Sequence, residues 1–279
     1  MNPRFAELPS ALREQSIIAR FGANASIPAL IAHPDPHWHA IISHSSGTHP
    51  PPSPRPAVLW FHGRTVNKEL DPGRYLRWIR AGLGAIAIDL PGHGERFDAA
   101  LQTSGRTLEV VEQAAQEIDV ILAALAAPPY TGLFDLTRLA IGGMSAGGMV
   151  TLHRLTREHP FRAAAVEATA GTFEYFKGRP FYIPERVERA EAIRHLDHWR
   201  PIPLLALHSE ADQWVPLRAI SDFTDALRAR YQQVGADPSL ITLKTWPTTG
   251  AQYEHMGFGR VSHEAKTIQT EFFAKHLLG

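Results

Sequence analysis

The sequence predicts an α/β protein in which an open, mostly parallel sheet carries helices on both faces. Two patterns predict it. Residues 57–62, 84–89, 138–144, 161–166 and 202–208 are near-continuous apolar runs of strand length, as expected for strands covered on both sides. Between them, residues 72–83, 107–126, 146–158 and 216–234 space their apolar side chains three and four apart, the mark of helices with one buried stripe. A last strand at 240–246 and a closing helix at 262–278 complete the alternation, which implies helical crossovers between parallel strands.

Upstream of this regular part, residues 16–20 and 40–43 are short β-branched runs expected to form a peripheral antiparallel pair. Residues 44–56 hold five prolines with Ser45, Ser46 and Gly47, so a proline-rich connector is expected there. Residues 171–200 interrupt the alternation. They carry Phe173, Tyr175, Phe176, Phe181 and Tyr182, then a charged, helix-like run at 185–195. The segment reads as an insertion in a single α/β domain spanning residues 1–279.

Composition narrows the function. Among 279 residues, 28 basic side chains balance 28 acidic ones, so no whole-protein field favours nucleic acid or an anionic membrane. A small, neutral substrate fits better. There is no cysteine, which excludes disulfides, thiolate metal sites and a cysteine nucleophile. Residues 1–15 mix charged and apolar positions and show no secretory signal, and no apolar run approaches the roughly 18 residues of a membrane helix. A soluble, cytoplasmic protein without membrane or nucleic-acid partners is the expectation.

Chemistry enters at Gly143-Met144-Ser145-Ala146-Gly147, where an apolar strand meets a helix. A serine on so sharp a turn exposes its Oγ above the strand ends, and flanking glycines allow helix and neighbouring strand to approach closely. No Lys-Ser/Thr pair follows and Met144 stands where a dinucleotide fingerprint needs glycine, so phosphate binding is disfavoured. Serine is a weak nucleophile at its own pKa and needs a base and an orienting acid. Asp212 follows the strand at 202–208, four residues before Pro216, and His255 lies in the loop after the last strand. Ser145, Asp212, His255 is the chain order of a triad built on such a sheet.

Five pieces stand in order at strand ends: Phe61-His62-Gly63, Asp89-Leu90-Pro91-Gly92-His93-Gly94, the serine turn, the run from Asp212 to Pro216, and His255. On them the chain, from about residue 57 to 279, resembles an α/β-hydrolase-fold serine esterase of the dienelactone-hydrolase and prolyl-oligopeptidase-like branch. Dienelactone hydrolases use a cysteine nucleophile, and this chain has none. The resemblance implies an α/β-hydrolase fold with a small inserted lid, and a cofactor-free and metal-free hydrolysis of small carboxylic esters through an acyl-enzyme on Ser145. It also assigns the oxyanion donors to the backbone N–H groups of Ala146 and Arg64, with Thr65 as the alternative for the second. Thioesterase, acyltransferase or small-peptidase chemistry would use the same triad, and a non-catalytic ligand-binding protein is the reading outside enzymes.

Other residues have plainer readings. Glu210 and Glu167 compete with Asp212 as the acid, and His263, inside the closing helix, competes with His255. His33, His37 and His39 have metal-like spacing, broken by Pro34 and Pro36. His62 and His93 are expected to tie loops together. The Arg64 and Arg96 side chains either pair with loops or select an acidic group on the substrate. The insertion aromatics Phe173, Tyr175, Phe176, Phe181 and Tyr182 are expected to line an acyl or alcohol pocket.

Overall fold

The computed structural model describes residues 3–42 and 53–279. Eight strands form one sheet in the order β1-β2-β4-β3-β5-β6-β7-β8. They are β1 (Ser16–Phe21), β2 (Ile27–Ala32), β3 (Arg55–Phe61), β4 (Gly84–Ile88), β5 (Phe134–Met144), β6 (Phe161–Glu167), β7 (Leu204–Ser209) and β8 (Ile241–Trp246). From β4 to β8 all neighbours are parallel, while β2 runs antiparallel to both β1 and β4. The helices among the described residues are α1 (Pro3–Ala6), α2 (Ser10–Arg13), α3 (His39–Ile42), α4 (Pro72–Arg80), α5 (Thr107–Ala126), α6 (Ala146–Arg154), α7 (Pro184–Ala190), α8 (Arg218–Gln233) and α9 (Ser262–Leu278).

The apolar runs are buried because alternate side chains serve opposite faces of the sheet. In β3, Leu59 and Phe61 join a core with Val111, Ile118, Val150, Phe223 and Leu227 of α5, α6 and α8. Val58 and Trp60 join the other core, with Tyr75, Trp78 and Ile79 of α4 and Phe273 and Leu277 of α9. Trp78 packs edge-on against both Trp60 and Phe273, each with ring centroids 5.6 Å apart. One helix layer on each face therefore fixes where the strand ends stand.

The N-terminal expectation fails. β1 pairs with β2, and residues 39–42, which overlap the other expected strand at 40–43, are the short helix α3. Every residue of β2 is buried, because it lies between β1 and β4. Residues 43–52, most of the expected connector, lie outside the described residues, and Arg55 and Pro56 at its end already belong to β3. α4 stops at Arg80, three residues before the expected end, because Gly82 turns the chain at φ 88°. The helix-like run at 185–195 is two pieces, α7 and a 3-10 stretch from Ala192 to His198. Buried Glu191 stands at the break, where its carboxylate accepts from the Thr172 hydroxyl at 2.9 Å and from the Phe173 N–H.

Candidate active site

Ser145 follows the last residue of the central strand β5 and precedes α6, with φ 52° and ψ −117°. Its N–H donates to the Glu167 carbonyl at 2.8 Å and its carbonyl accepts from the Thr169 hydroxyl at 2.7 Å. The strained turn is thus held from β6. Gly147 lies so close to β3 that a Cβ there would overlap the Phe61 carbonyl, which is why the position after the turn carries no side chain.

Asp212 and His255 arrive on the loops after β7 and β8. One Asp212 oxygen accepts from the N–H groups of Trp214 and Val215, both at 2.8 Å. The other is 2.7 Å from His255 Nδ1, and His255 Nε2 is 3.0 Å from Ser145 Oγ. These partners assign the proton of the neutral ring to Nδ1 and leave Nε2 as an acceptor for the serine hydroxyl. Asp212 has no exposed side-chain surface and His255 only 4%.

Supporting residues that the sequence reading did not single out hold this chain of groups in place. His208 Nε2 donates to the Val215 carbonyl at 2.9 Å and lies 3.7 Å from Asp212, and burial lowers its pKa. A histidine closing an otherwise apolar strand was its signal. Glu254 accepts from the Thr249 N–H at 2.6 Å, the Thr249 and Ser209 hydroxyls at 2.8 Å and the Gly250 N–H at 2.8 Å. Those bonds, led by the Thr249 N–H, hold its carboxyl down to about 2. Tyr253 and Glu254 both have positive φ, so the loop turns sharply just before His255. Trp214 stacks on Tyr253 at 5.0 Å and lies 4.8 Å from the His255 ring.

The second loop beside Ser145 follows β3. A Cβ on Gly63 would stand 3.5 Å from the Ser145 Cβ. Among the described residues, no acceptor is paired with the backbone N–H of Arg64 or Ala146. His62 Nδ1 donates to the Gly63 carbonyl at 2.6 Å and its Nε2 accepts from the Leu90 N–H at 3.0 Å, so this ring ties two loops. His93 Nδ1 likewise meets the Pro91 carbonyl at 2.8 Å. Arg96 forks onto Glu117 at 2.8 and 2.7 Å, which makes it a loop-pairing residue.

A cavity of about 840 Å³ opens over Ser145. Phe176 and Phe181 line it, whereas Phe173, Tyr175 and Tyr182 do not. Phe173 is buried in the core, the Tyr175 hydroxyl turns away to Asp222, and half-buried Tyr182 packs on the core edge. Tyr175 departs from Phe176 because adjacent residues on the 3-10 turn Glu174–Phe176 project in different directions. The floor was not foreseen. There Arg74 forks onto Glu167 at 2.7 and 2.8 Å, Gln269 donates to Glu167 at 2.9 Å, and Lys266 meets Asp71 at 2.7 Å. Glu167 is thereby excluded as the acid partner of His255, and Glu210 accepts from the Thr245 hydroxyl instead. His263 is exposed at the start of α9. His33 is occupied by the Leu133 carbonyl and the Asp35 N–H, both at 3.1 Å, and His39 by the Glu14 carbonyl at 2.9 Å. No group of three or more metal-ligating side chains occurs among the described residues.

The model of the prolyl oligopeptidase family matches residues 78–277. The chain belongs to that family. This family member is 29% identical over 241 residues to esterase YjfP of Escherichia coli (strain K12), covering 81% of this chain and 90% of that protein. Its fold is similar to a puromycin-hydrolyzing peptidase of Mycobacterium tuberculosis, with TM-score 0.71 and 20% identity, over 97% of this chain and 41% of the peptidase. Thermogutta terrifontis esterase 2 gives TM-score 0.65 and 15% identity over 94% of both chains. The fold is the α/β-hydrolase fold. This chain spans about two-fifths of the peptidase and nearly all of the esterase.

Proposed function

We propose that this protein is a carboxylic-ester hydrolase in which Ser145, His255 and Asp212 are the catalytic triad. The observation that carries the reading is the unbroken hydrogen-bonded chain from Ser145 Oγ through His255 to buried Asp212, with Ser145 and His255 lining a cavity. Ser145 Oγ attacks the ester carbonyl while His255 Nε2 takes its proton, and Asp212 stabilises the imidazolium. The N–H groups of Arg64 and Ala146 are the donors for the oxyanion that forms, and their lack of a partner among the described residues supports that role. Collapse expels the alcohol, which receives the proton from His255. A water molecule, activated by the same imidazole, then releases the acid and restores Ser145.

Similarity to an esterase over nearly its whole length favours an ester over a peptide leaving group. The insertion at 171–200 belongs to the same proposal as a small lid, since Phe176 and Phe181 form part of the cavity wall. No helix of the described residues is long and apolar enough to cross a membrane. A cytoplasmic site of action is the remaining part of the proposal, tested by cell fractionation.

The decisive experiment sets purified protein against ester, thioester, lactone and amide panels, with Ser145→Ala as the blank. Short carboxylic esters are expected to be the best substrates, and the variant is expected to lose about 10⁴-fold or more in kcat while remaining folded. Undiminished turnover by the variant, or turnover confined to amides, would refute the reading.

A further inference from the structure

The charged groups lining the cavity do not cancel. On its floor Arg74 is neutralised by Glu167, and Lys266 by Asp71. Two further cations line the same space, Arg64 and Arg179, and among the described residues neither has a carboxylate partner. Arg64 is part-buried; its guanidinium donates to the Thr107 hydroxyl at 2.6 Å and to the Gln102 carbonyl. Both acceptors are neutral, and three of its five N–H donors remain. Burial lowers the Arg64 pKa and no carboxylate raises it again, yet a guanidinium stays charged in proteins.

The loop that holds Arg64 also meets the insertion. A Cβ on Gly105 would lie 3.6 Å from the Pro180 carbonyl, next to exposed Arg179. Arg64 and Arg179 therefore bring two guanidinium groups without carboxylate partners to the cavity that Ser145 also lines. The half-buried charge of Arg64 is screened less by solvent than that of exposed Arg179.

We infer that this cavity selects esters that carry a second, negatively charged group, a carboxylate or phosphate, held by Arg64 and Arg179 while the ester carbonyl reaches Ser145. The inference rests on the proposed esterase reading and names its substrate class. An anionic group would take charge-assisted, forked hydrogen bonds from the planar guanidinium donors. A neutral ester of equal length leaves both cations without a counter-ion.

The test compares matched pairs: monoethyl adipate against ethyl hexanoate for an anion in the acyl half, and 4-(butyryloxy)benzoate against phenyl butyrate for an anion in the leaving group. The wild-type enzyme is expected to favour the anionic member of at least one pair by about tenfold or more in kcat/KM. That ratio should fall about tenfold in the Arg64→Gln, Arg179→Gln double variant and shrink with added salt. Glutamine at position 64 keeps the backbone N–H, and the ratio within each pair, not the absolute rate, is the readout. Ser145-dependent hydrolysis with equal rates within both pairs, or a ratio indifferent to the double variant, overturns this inference alone. Absence of hydrolysis from all four esters overturns the esterase reading and this inference with it.

Discussion

At the scale of single residues, Ser145 is the costliest position in the backbone of the site. Its φ of 52° and ψ of −117° lie where a side chain is strained by about 1 to 3 kcal/mol, and the end of β6 and the loop after it hold it there through the Glu167 carbonyl and Thr169 hydroxyl. Glycine adopts these angles freely, although its looser unfolded chain takes back about 0.4 to 1 kcal/mol. Ser145→Gly is therefore expected to be more stable than Ser145→Ala by about 1 kcal/mol, both being inactive. Chemical denaturation of the two variants side by side checks this, and an alanine variant of equal or greater stability would contradict the strain. The candidate triad is legible in the sequence because each member follows a clear strand in a fixed order. His208 carried only the weak signal of a histidine at the end of an apolar strand, and Glu254 carried less, since it reaches Ser209 across 45 positions of chain.

At the scale of elements, the loop before His255 depends on one carboxylate. Glu254 is depressed from an ordinary 4.5 to about 2, so its contribution to stability is complete above about pH 4.5 and is lost as pH falls toward 2. The stability difference between wild type and Glu254→Gln should accordingly be largest near neutrality and close between pH 5 and 2. Urea titrations across that range measure it; a difference independent of pH would remove Glu254 from this role. The same scale shows what the sequence conceals. Parallel strands announce themselves by unbroken apolar runs, from which β3 to β7 are legible, while β8, with Thr242, Lys244 and Thr245, is expected only from the β-α alternation. β2 escaped although all six of its residues are buried, because Pro28 interrupts its pattern and its second neighbour, β4, lies far along the chain. The cavity floor escaped for the same reason, with Arg74, Glu167 and Lys266 drawn from α4, β6 and α9.

At the scale of the whole molecule, the candidate site is assembled from loops after β3, β5, β7 and β8, so no short segment of the chain contains it. The strand bearing the serine is central, paired on both sides, whereas β8 is the last in the order and pairs only with β7. Four of the six β8 side chains are partly or fully exposed, and His255 rides on the loop that leaves it. Local opening at such an edge needs less free energy than global unfolding. Ester hydrolysis is expected to vanish at a lower urea concentration than the far-ultraviolet signal of the sheet and helices, whereas coincident transitions would show that β8 opens only with the rest. Residual activity would then be a gauge of the outermost strand alone, and variants ranked by surviving turnover after heating would be ranked by fraying at one margin of the sheet, whatever had happened to the strength of its centre.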